Sequence, residues 1–135
     1  MLAGLASEGA RPSSSARDRA IADMIAYTVD LRFNEHLALT ELSAAASVSV
    51  FHACRAFRRA IDMSIHRYQQ TVRLRHALAM VLETSVPLAR IAVDTGCANQ
   101  GHLGNVFHRR FGLTPARLRR NTRTVLAAAL PRSGS

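Results

Sequence analysis

The sequence contains no lysine and has only two cysteines among its 135 residues. Cys54 and Cys97 do not form a CxxC pair, which argues against a disulfide scaffold and against a structural zinc site. The six histidines are scattered along the chain, so we expect neither a metal site nor a cofactor. No nucleophile, base and orienting group cluster in the sequence, and the chain is therefore not expected to be an enzyme.

Long apolar runs and targeting signals are also missing. No stretch approaches the length needed to cross a bilayer. The first residues, "MLAGLASEGARP", lack the charged start and apolar core of a secretory signal. We therefore expect a cytoplasmic protein with no membrane partner. Residues 1–17 are rich in Gly, Ala, Ser and Arg, a composition that predicts a disordered lead or a linker.

The basic charge is carried entirely by arginine and is unevenly placed. The formal net charge is +9, and residues 1–54 hold 4 arginines against 6 acidic residues. Residues 55–135 hold 14 arginines against 3 acidic residues. A polyanion is the natural partner of such a chain, with nucleic acid ahead of a membrane surface. The alternative is a soluble protein whose arginine content reflects its proteome.

Apolar residues recur at helical spacing, and no segment alternates in the manner of a strand. The chain is therefore predicted to be all-α, with about seven helices and short connections. The first helix should begin near Asp18 and bury Ile21, Met24, Ile25 and Val29. Further helices are predicted over 37–46, from a cap at Ser49 to about Ala60, from a cap at Ser64 to Thr84, from Pro87 to Gly96, from a cap at Asn99 to about Phe111, and from Thr114 and Pro115 onward.

One segment of the chain is repeated. At an offset of about 50 residues, Ser49 matches Asn99, His52 matches His102, Phe57 matches Phe107 and Arg59 matches Arg109. Two copies are too few for a solenoid. Each copy has the plan of a helix-turn-helix unit, in which a short apolar helix and a tight turn precede a second helix with one basic face. The second helix should bury Ala53, Ala56 and Phe57 in the first copy, and Leu103, Val106 and Phe107 in the second.

The two units, about 37–63 and 87–113, would be joined by a linker helix over 64–84. A helix of about 21 residues is roughly 30 Å long. Successive major-groove faces on one side of a duplex are about 34 Å apart. The repeat therefore predicts two reading helices held one turn of DNA apart by a single chain.

These features resemble the DNA-binding domain of the AraC/XylS family of transcription regulators. The most specific part is "IAVDTGCANQGHLGNVFHRRFGLTPARLR", which is similar to the family run of Ile-Ala, a Gly turn, F-x-R-x-F-G and Thr-Pro. The first unit follows the companion pattern through "ELSAAASVSVFHACRAFRRAIDMSIHRY", and "VRLRHALAMVLETSVPLARIA" fits the linker helix. The resemblance covers about residues 18–122, which leaves 123–135 as a C-terminal tail.

The resemblance implies seven helices in two helix-turn-helix subdomains and sequence-specific binding to promoter DNA. It also implies RNA polymerase as a partner. Family members usually carry a second domain that senses an effector or dimerises, so the chain is expected to be a monomer, or a dimer through a domain outside it. An enzyme is a rival reading, since methyl-accepting repair regulators use a similar module. They need an added cysteine-rich zinc segment, which is not found in this sequence.

The resemblance also assigns DNA contacts, residue by residue. The base-reading positions fall on Phe51, Cys54, Arg55, Gln100, Gly101, Gly104 and Asn105. The phosphate contacts fall on Ser49, Arg58, Arg59, Asn99, His108 and Arg109. His52 is added to the DNA-binding set, although its match to His102 is equally compatible with a shared structural role. Phe57, Phe107 and Phe111 are expected in the core, and Arg110 in solvent.

The chain departs from the family pattern at several positions. Ser47 and Asp62 stand where Gly is frequent, Cys97 and Leu118 where aromatics are expected, and Asn105 where Arg is usual. Gly101 and Gly104 remove two side chains that could touch bases, and Asn pairs with adenine rather than guanine. We infer that the first unit specifies the site and that the second mainly grips phosphate. The alternative function is a protein-interaction or non-specific DNA-binding module without base readout.

Overall fold

The computed structural model describes residues 14–129, and within that range every regular element is a helix. The helices are α1 Ser14–Leu31, α2 Leu39–Ala45, α3 Val50–Ile61, α4 Ile65–Glu83, α5 Leu88–Asp94, α6 Gln100–Phe111 and α7 Pro115–Ala129. The predicted all-α class with seven helices is thereby confirmed. The chain divides into two compact units, with the boundary after Gln70, inside α4.

The ends of the predicted domain differ in detail from the structure. Helix α1 begins at Ser14 rather than near Asp18, because no Gly or Pro follows Pro12 to stop the helix from extending toward the N-terminus. Residues 1–13 of the predicted lead lie outside the described residues, as do residues 130–135 of the predicted tail. Helix α7 continues to Ala129, well into that tail.

The first unit packs α1 against α3 and α2. Helix α1 buries Ile21, Ala22, Ile25 and Val29, which lie on one stripe. The prediction that Met24 belongs to this stripe is wrong, since Met24 is 49% exposed. At 100° per residue, Met24 lies roughly 120° around the helix from the centre of the stripe.

The first half of α4 is tied to the first unit by contacts between residues far apart in sequence. The hydroxyl of Tyr68 donates a hydrogen bond to the carboxylate of Asp30 at 2.8 Å. The ring of Tyr68 meets Phe57 edge to face, with 5.4 Å between the ring centroids. Because Phe57 is a fully buried residue of α3, this contact helps to hold α3 against the first half of α4.

Turns at Ser47 and Asp62 bound the start and end of the segment that holds α3. Both residues have a left-handed backbone, with φ of 58° and 65°. Gly adopts this conformation without steric cost, and Asp tolerates it better than most residues. Asp62 therefore turns the chain without a glycine, and Ser47 adopts the same left-handed conformation although its side chain favours it less.

The second unit has its own apolar core. Its buried members are Leu74, Ala77, Val81, Ile91, Ala92, Leu103, Val106 and Phe107, with Leu118 and Cys97 packed at its margin. Phe111, which the sequence placed in the core, is 37% exposed and rests edge-on against Phe107 at 4.7 Å between centroids. Phe111 is the last residue of α6, and its ring stays partly open to solvent.

Arg119 links α7 to the end of α4 through hydrogen bonds that no local sequence pattern predicts. Its guanidinium donates hydrogen bonds to the carbonyl oxygens of Met80 at 3.2 Å, Val81 at 3.2 Å and Val86 at 2.7 Å. The last carbonyls of a helix lack partners within the helix. Arg119 therefore caps the end of α4 and ties α7 to it.

Candidate nucleic-acid interface

Helices α3 and α6 begin with the same kind of cap. The Ser49 hydroxyl oxygen accepts a hydrogen bond from the backbone N–H of His52 at 3.1 Å. The Asn99 side-chain oxygen accepts one from the backbone N–H of His102 at 2.8 Å. Each cap satisfies a backbone donor that the first turn leaves without a partner. His52 and His102 therefore match in the repeat as the residues whose backbone N–H groups complete the caps. This holds whatever their imidazole rings contact.

The two helices also share their length, their buried face and their ending. Each has 12 residues. Asp62 and Gly112 end them in a left-handed conformation, and their N–H groups donate to the carbonyls of Arg58 and His108 at 2.9 and 2.8 Å. The predicted inward residues are all buried, namely Ala53, Ala56 and Phe57 in α3, and Leu103, Val106 and Phe107 in α6.

The outward face of α3 carries an aromatic ring and two free cations. Phe51 is 69% exposed, and Arg55 and Arg58 are exposed. The guanidinium carbon of Arg55 lies 5.1 Å from the centroid of the Phe51 ring. Of the ion pairs formed among residues 14–129, none involves Arg55 or Arg58. This face therefore presents positive charge that an external anion can neutralise. Cys54 lies at its edge, half-buried.

Arg59 differs from its neighbours because it has an acidic partner. Its guanidinium lies 3.7 Å from the carboxylate of Asp18 on α1, whose side chain is only 11% exposed. The pair links α1 to α3, and it partly neutralises a charge that the sequence assigned to phosphate. No local sequence pattern indicates this contact, because Asp18 and Arg59 are far apart along the chain.

The outward face of α6 has fewer side chains that could contact DNA, because two of its residues are glycines. Gln100, Gly101 and Asn105 are exposed, and Gly104 is half-buried. A Cβ atom added at Gly104 would meet nothing within 4 Å. The arginines of α6 lie only in its last turn, where Arg109 and Arg110 are exposed together with His108.

The two glycines of α6 are expected to respond differently to alanine. Gly104→Ala should raise the free energy of unfolding by about 0.5–1 kcal/mol, since alanine has the better helix propensity and its methyl group has open space. Gly101→Ala should gain less, because its Cβ would lie 3.3 Å from the capping oxygen of Asn99. Urea denaturation followed by circular dichroism measures both. Equal gains would show that the Asn99 cap does not constrain Gly101.

The two cysteines are free thiols. Burial raises the pKa of the Cys97 thiol, and a hydrogen bond with Thr95 and the positive charge of Arg73 partly offset that rise. Cys97 is therefore a neutral side chain at the margin of the core. Within residues 14–129, no three His, Cys, Asp or Glu side chains are grouped in a way that could hold a metal ion. In the same part of the chain, no helix combines the length and apolarity needed to span a membrane.

Comparison with known sequences identifies the relatives of the chain. The family model described as "Helix-turn-helix domain" matches residues 42–121. The bifunctional transcriptional activator/DNA repair enzyme AdaA of Bacillus subtilis is 31% identical over 97 residues, which cover 72% of this chain and 46% of AdaA. The regulator GlxA of Rhizobium meliloti is 32% identical over 83 residues, covering 62% of this chain and 26% of GlxA. The chain thus spans less than half of these relatives, and the part it shares with AdaA is the helix-turn-helix domain.

Solved structures show the same fold at low sequence identity. An AraC-type transcriptional regulator from Chromobacterium violaceum superposes with a TM-score of 0.72 at 19% identity, covering 79% of this chain and 96% of that one. The DNA-binding domain of AdpA, solved in complex with a target DNA, gives a TM-score of 0.71 at 22% identity, covering 78% and 94%. With the matched family model and the paired units described above, the chain belongs to the AraC-type helix-turn-helix domain family.

Proposed function

We propose that the chain is a sequence-specific DNA-binding transcription regulator that inserts α3 and α6 into the major groove of promoter DNA. The observation that carries this proposal is the matched construction of the two helices. Each has a capped start, three buried residues on one side and exposed polar or basic residues on the other. Two copies of this construction in a chain of net charge +9 fit the major-groove docking of helix-turn-helix proteins.

The relatives support the same proposal. AdaA is a bifunctional transcriptional activator and DNA repair enzyme, GlxA is a transcriptional regulator, and the AdpA domain was solved in complex with a target DNA. Action on RNA polymerase at the promoter, and a cytoplasmic location, belong to this proposal as well.

The proposed contacts divide into base readers and phosphate contacts. Bases are read by Phe51, Cys54 and Arg55 from α3, and by Gln100, Gly101, Gly104 and Asn105 from α6. Phosphates are held by Ser49, Arg58, Asn99, His108 and Arg109, with His52 beside them and with Arg59 shared between phosphate and Asp18. The exposed aromatic ring and guanidinium of α3, against the bare glycines of α6, support a first unit that specifies and a second that mainly grips the backbone.

Selection of duplexes from a random pool at physiological salt tests the proposal. We expect a motif in two parts, one sharp and one vague, with centres about 10 base pairs apart. Retention of DNA without any enriched sequence would favour the alternative, a module that binds DNA without base readout. Loss of all DNA would favour a protein-interaction module.

The salt dependence of binding tests the phosphate contacts separately. About six contacts predict a slope near −5 for the logarithm of affinity against the logarithm of salt concentration. Arg58→Gln should reduce the magnitude of that slope by about 1. Arg90→Gln is the matched control, because it removes the same charge from an exposed arginine that is already paired with Asp94 at 2.9 Å. A flat salt response would contradict the DNA-binding face, and an equal change in the two variants would contradict the role of Arg58.

A further inference from the structure

The exposed ring of Phe51 and the guanidinium of Arg55 form one contact on the outward face of α3. They stand one helical turn apart, and the guanidinium carbon lies 5.1 Å from the ring centroid, within the roughly 6 Å of a cation–π interaction. An exposed phenylalanine is by itself ordinary. Here it lies opposite the buried side of a helix and holds a cation that has no acidic partner among the described residues.

Each member of this pair has a preferred target in the major groove. Arginine donates two hydrogen bonds to O6 and N7 of guanine, whereas phenylalanine makes apolar contact with the C5-methyl group of thymine. Successive bases on one strand are about 3.4 Å apart along the axis. A ring and a guanidinium whose centres lie 5.1 Å apart can therefore reach neighbouring bases without separating.

We propose that Phe51 and Arg55 act together as a reader of a thymine next to a guanine, which makes the C5-methyl group part of the recognised site. This inference rests on the proposed function. It names the base step, a thymine next to a guanine, that the first unit selects. The ring also restricts the long Arg55 side chain before DNA arrives, so that less rotamer freedom is lost on binding. The recognised feature of the DNA is a C5-methyl group next to the two acceptor atoms of guanine. Either thymine or 5-methylcytosine can carry that methyl group.

The second unit provides an internal comparison. The repeat places Gly101 at the position of Phe51 and Asn105 at the position of Arg55. Gly101 has no side chain that could touch a methyl group, and asparagine pairs with adenine. The methyl sensitivity should therefore belong to the half of the site that α3 contacts and be absent from the half that α6 contacts.

Base analogues in the selected duplex test the proposal with the full chain. Replacing the thymine next to the guanine by deoxyuridine removes only the methyl group. We expect affinity to fall about fourfold, which is the effect of no longer burying one apolar carbon. At the same position, 5-methylcytosine should bind more tightly than cytosine by a similar factor. Replacing guanine N7 by carbon, with 7-deazaguanine, should weaken the wild-type chain and leave Arg55→Ala unaffected.

Phe51→Ala is the variant that assigns the methyl contact to the ring. Phe51 is largely exposed, so the variant should keep its helical circular dichroism while losing the response to deoxyuridine. Thymines in the second half of the site serve as the control and should tolerate deoxyuridine in both proteins. The proposal is overturned if the selected site lacks a thymine beside a guanine, or if Phe51→Ala responds to deoxyuridine as the wild type does. Failure of the proposed function is distinct, since it would abolish selection of any site.

Discussion

Arg55→Ala is expected to weaken strongly the preference of the chain for its selected site while leaving its affinity for unrelated duplex DNA mostly intact. A bidentate arginine–guanine pair contributes about 1–3 kcal/mol of discrimination against the wrong base, so the ratio of specific to non-specific affinity should fall by about five- to 150-fold. Arg55 is exposed on the face opposite the α3 core, and its removal should therefore not disturb the fold. Competition binding at fixed salt, with the selected duplex and a scrambled one, measures the ratio.

Asn105→Ala is the matched control, because Asn105 occupies the same position in the second unit. If the first unit specifies the site, this variant should change the ratio less than Arg55→Ala does. An equal loss of affinity on both duplexes in Arg55→Ala, with a shallower salt slope, would show that Arg55 holds phosphate rather than a base. A larger effect of Asn105→Ala would reverse the proposed division between the units.

Phe107→Ala is expected to lower the free energy of unfolding by about 3–5 kcal/mol, the usual cost of truncating a fully buried phenylalanine. Phe107 is 0% exposed and lies in the core of the second unit with Leu103 and Val106. The change would remove the ring that α6 buries and leave a cavity beneath the recognition helix. Urea denaturation followed by circular dichroism gives the free energy.

Phe111→Ala removes the same side chain from a site that is 37% exposed, and it should lower the free energy of unfolding by at most about 2 kcal/mol. The two rings touch edge to face, so the double variant should lose less than the sum of the single variants. Equal losses in the two single variants would show that Phe111 is a core residue, as was predicted from the sequence.

Much of this protein could be predicted from short segments of its sequence. The caps at Ser49, Ser64 and Asn99 were predicted and are present, with side-chain oxygens that accept N–H groups three residues later. Thr114, where the last helix was predicted to open, makes the same kind of cap. The buried triplets of α3 and α6 were predicted as well. Capping and helical periodicity are local, since a side chain and the backbone it caps lie within one turn. The match of the two units then predicted the family from the order of these local features.

Where a side chain depends on another helix, the local pattern was not enough. Met24 and Phe111 have the apolar character of core residues, but the packing of the neighbouring helices leaves both exposed. For the pairing of Arg59 with Asp18 and the capping of α4 by Arg119, the partners meet only after the chain has folded. The sequence by itself determined the helices, their caps and the repeated units, because these depend on neighbours within a turn or two. The tertiary structure decided which arginines stay free for an anion, because the partners of Arg59 and Arg119 come from parts of the chain that meet only on folding.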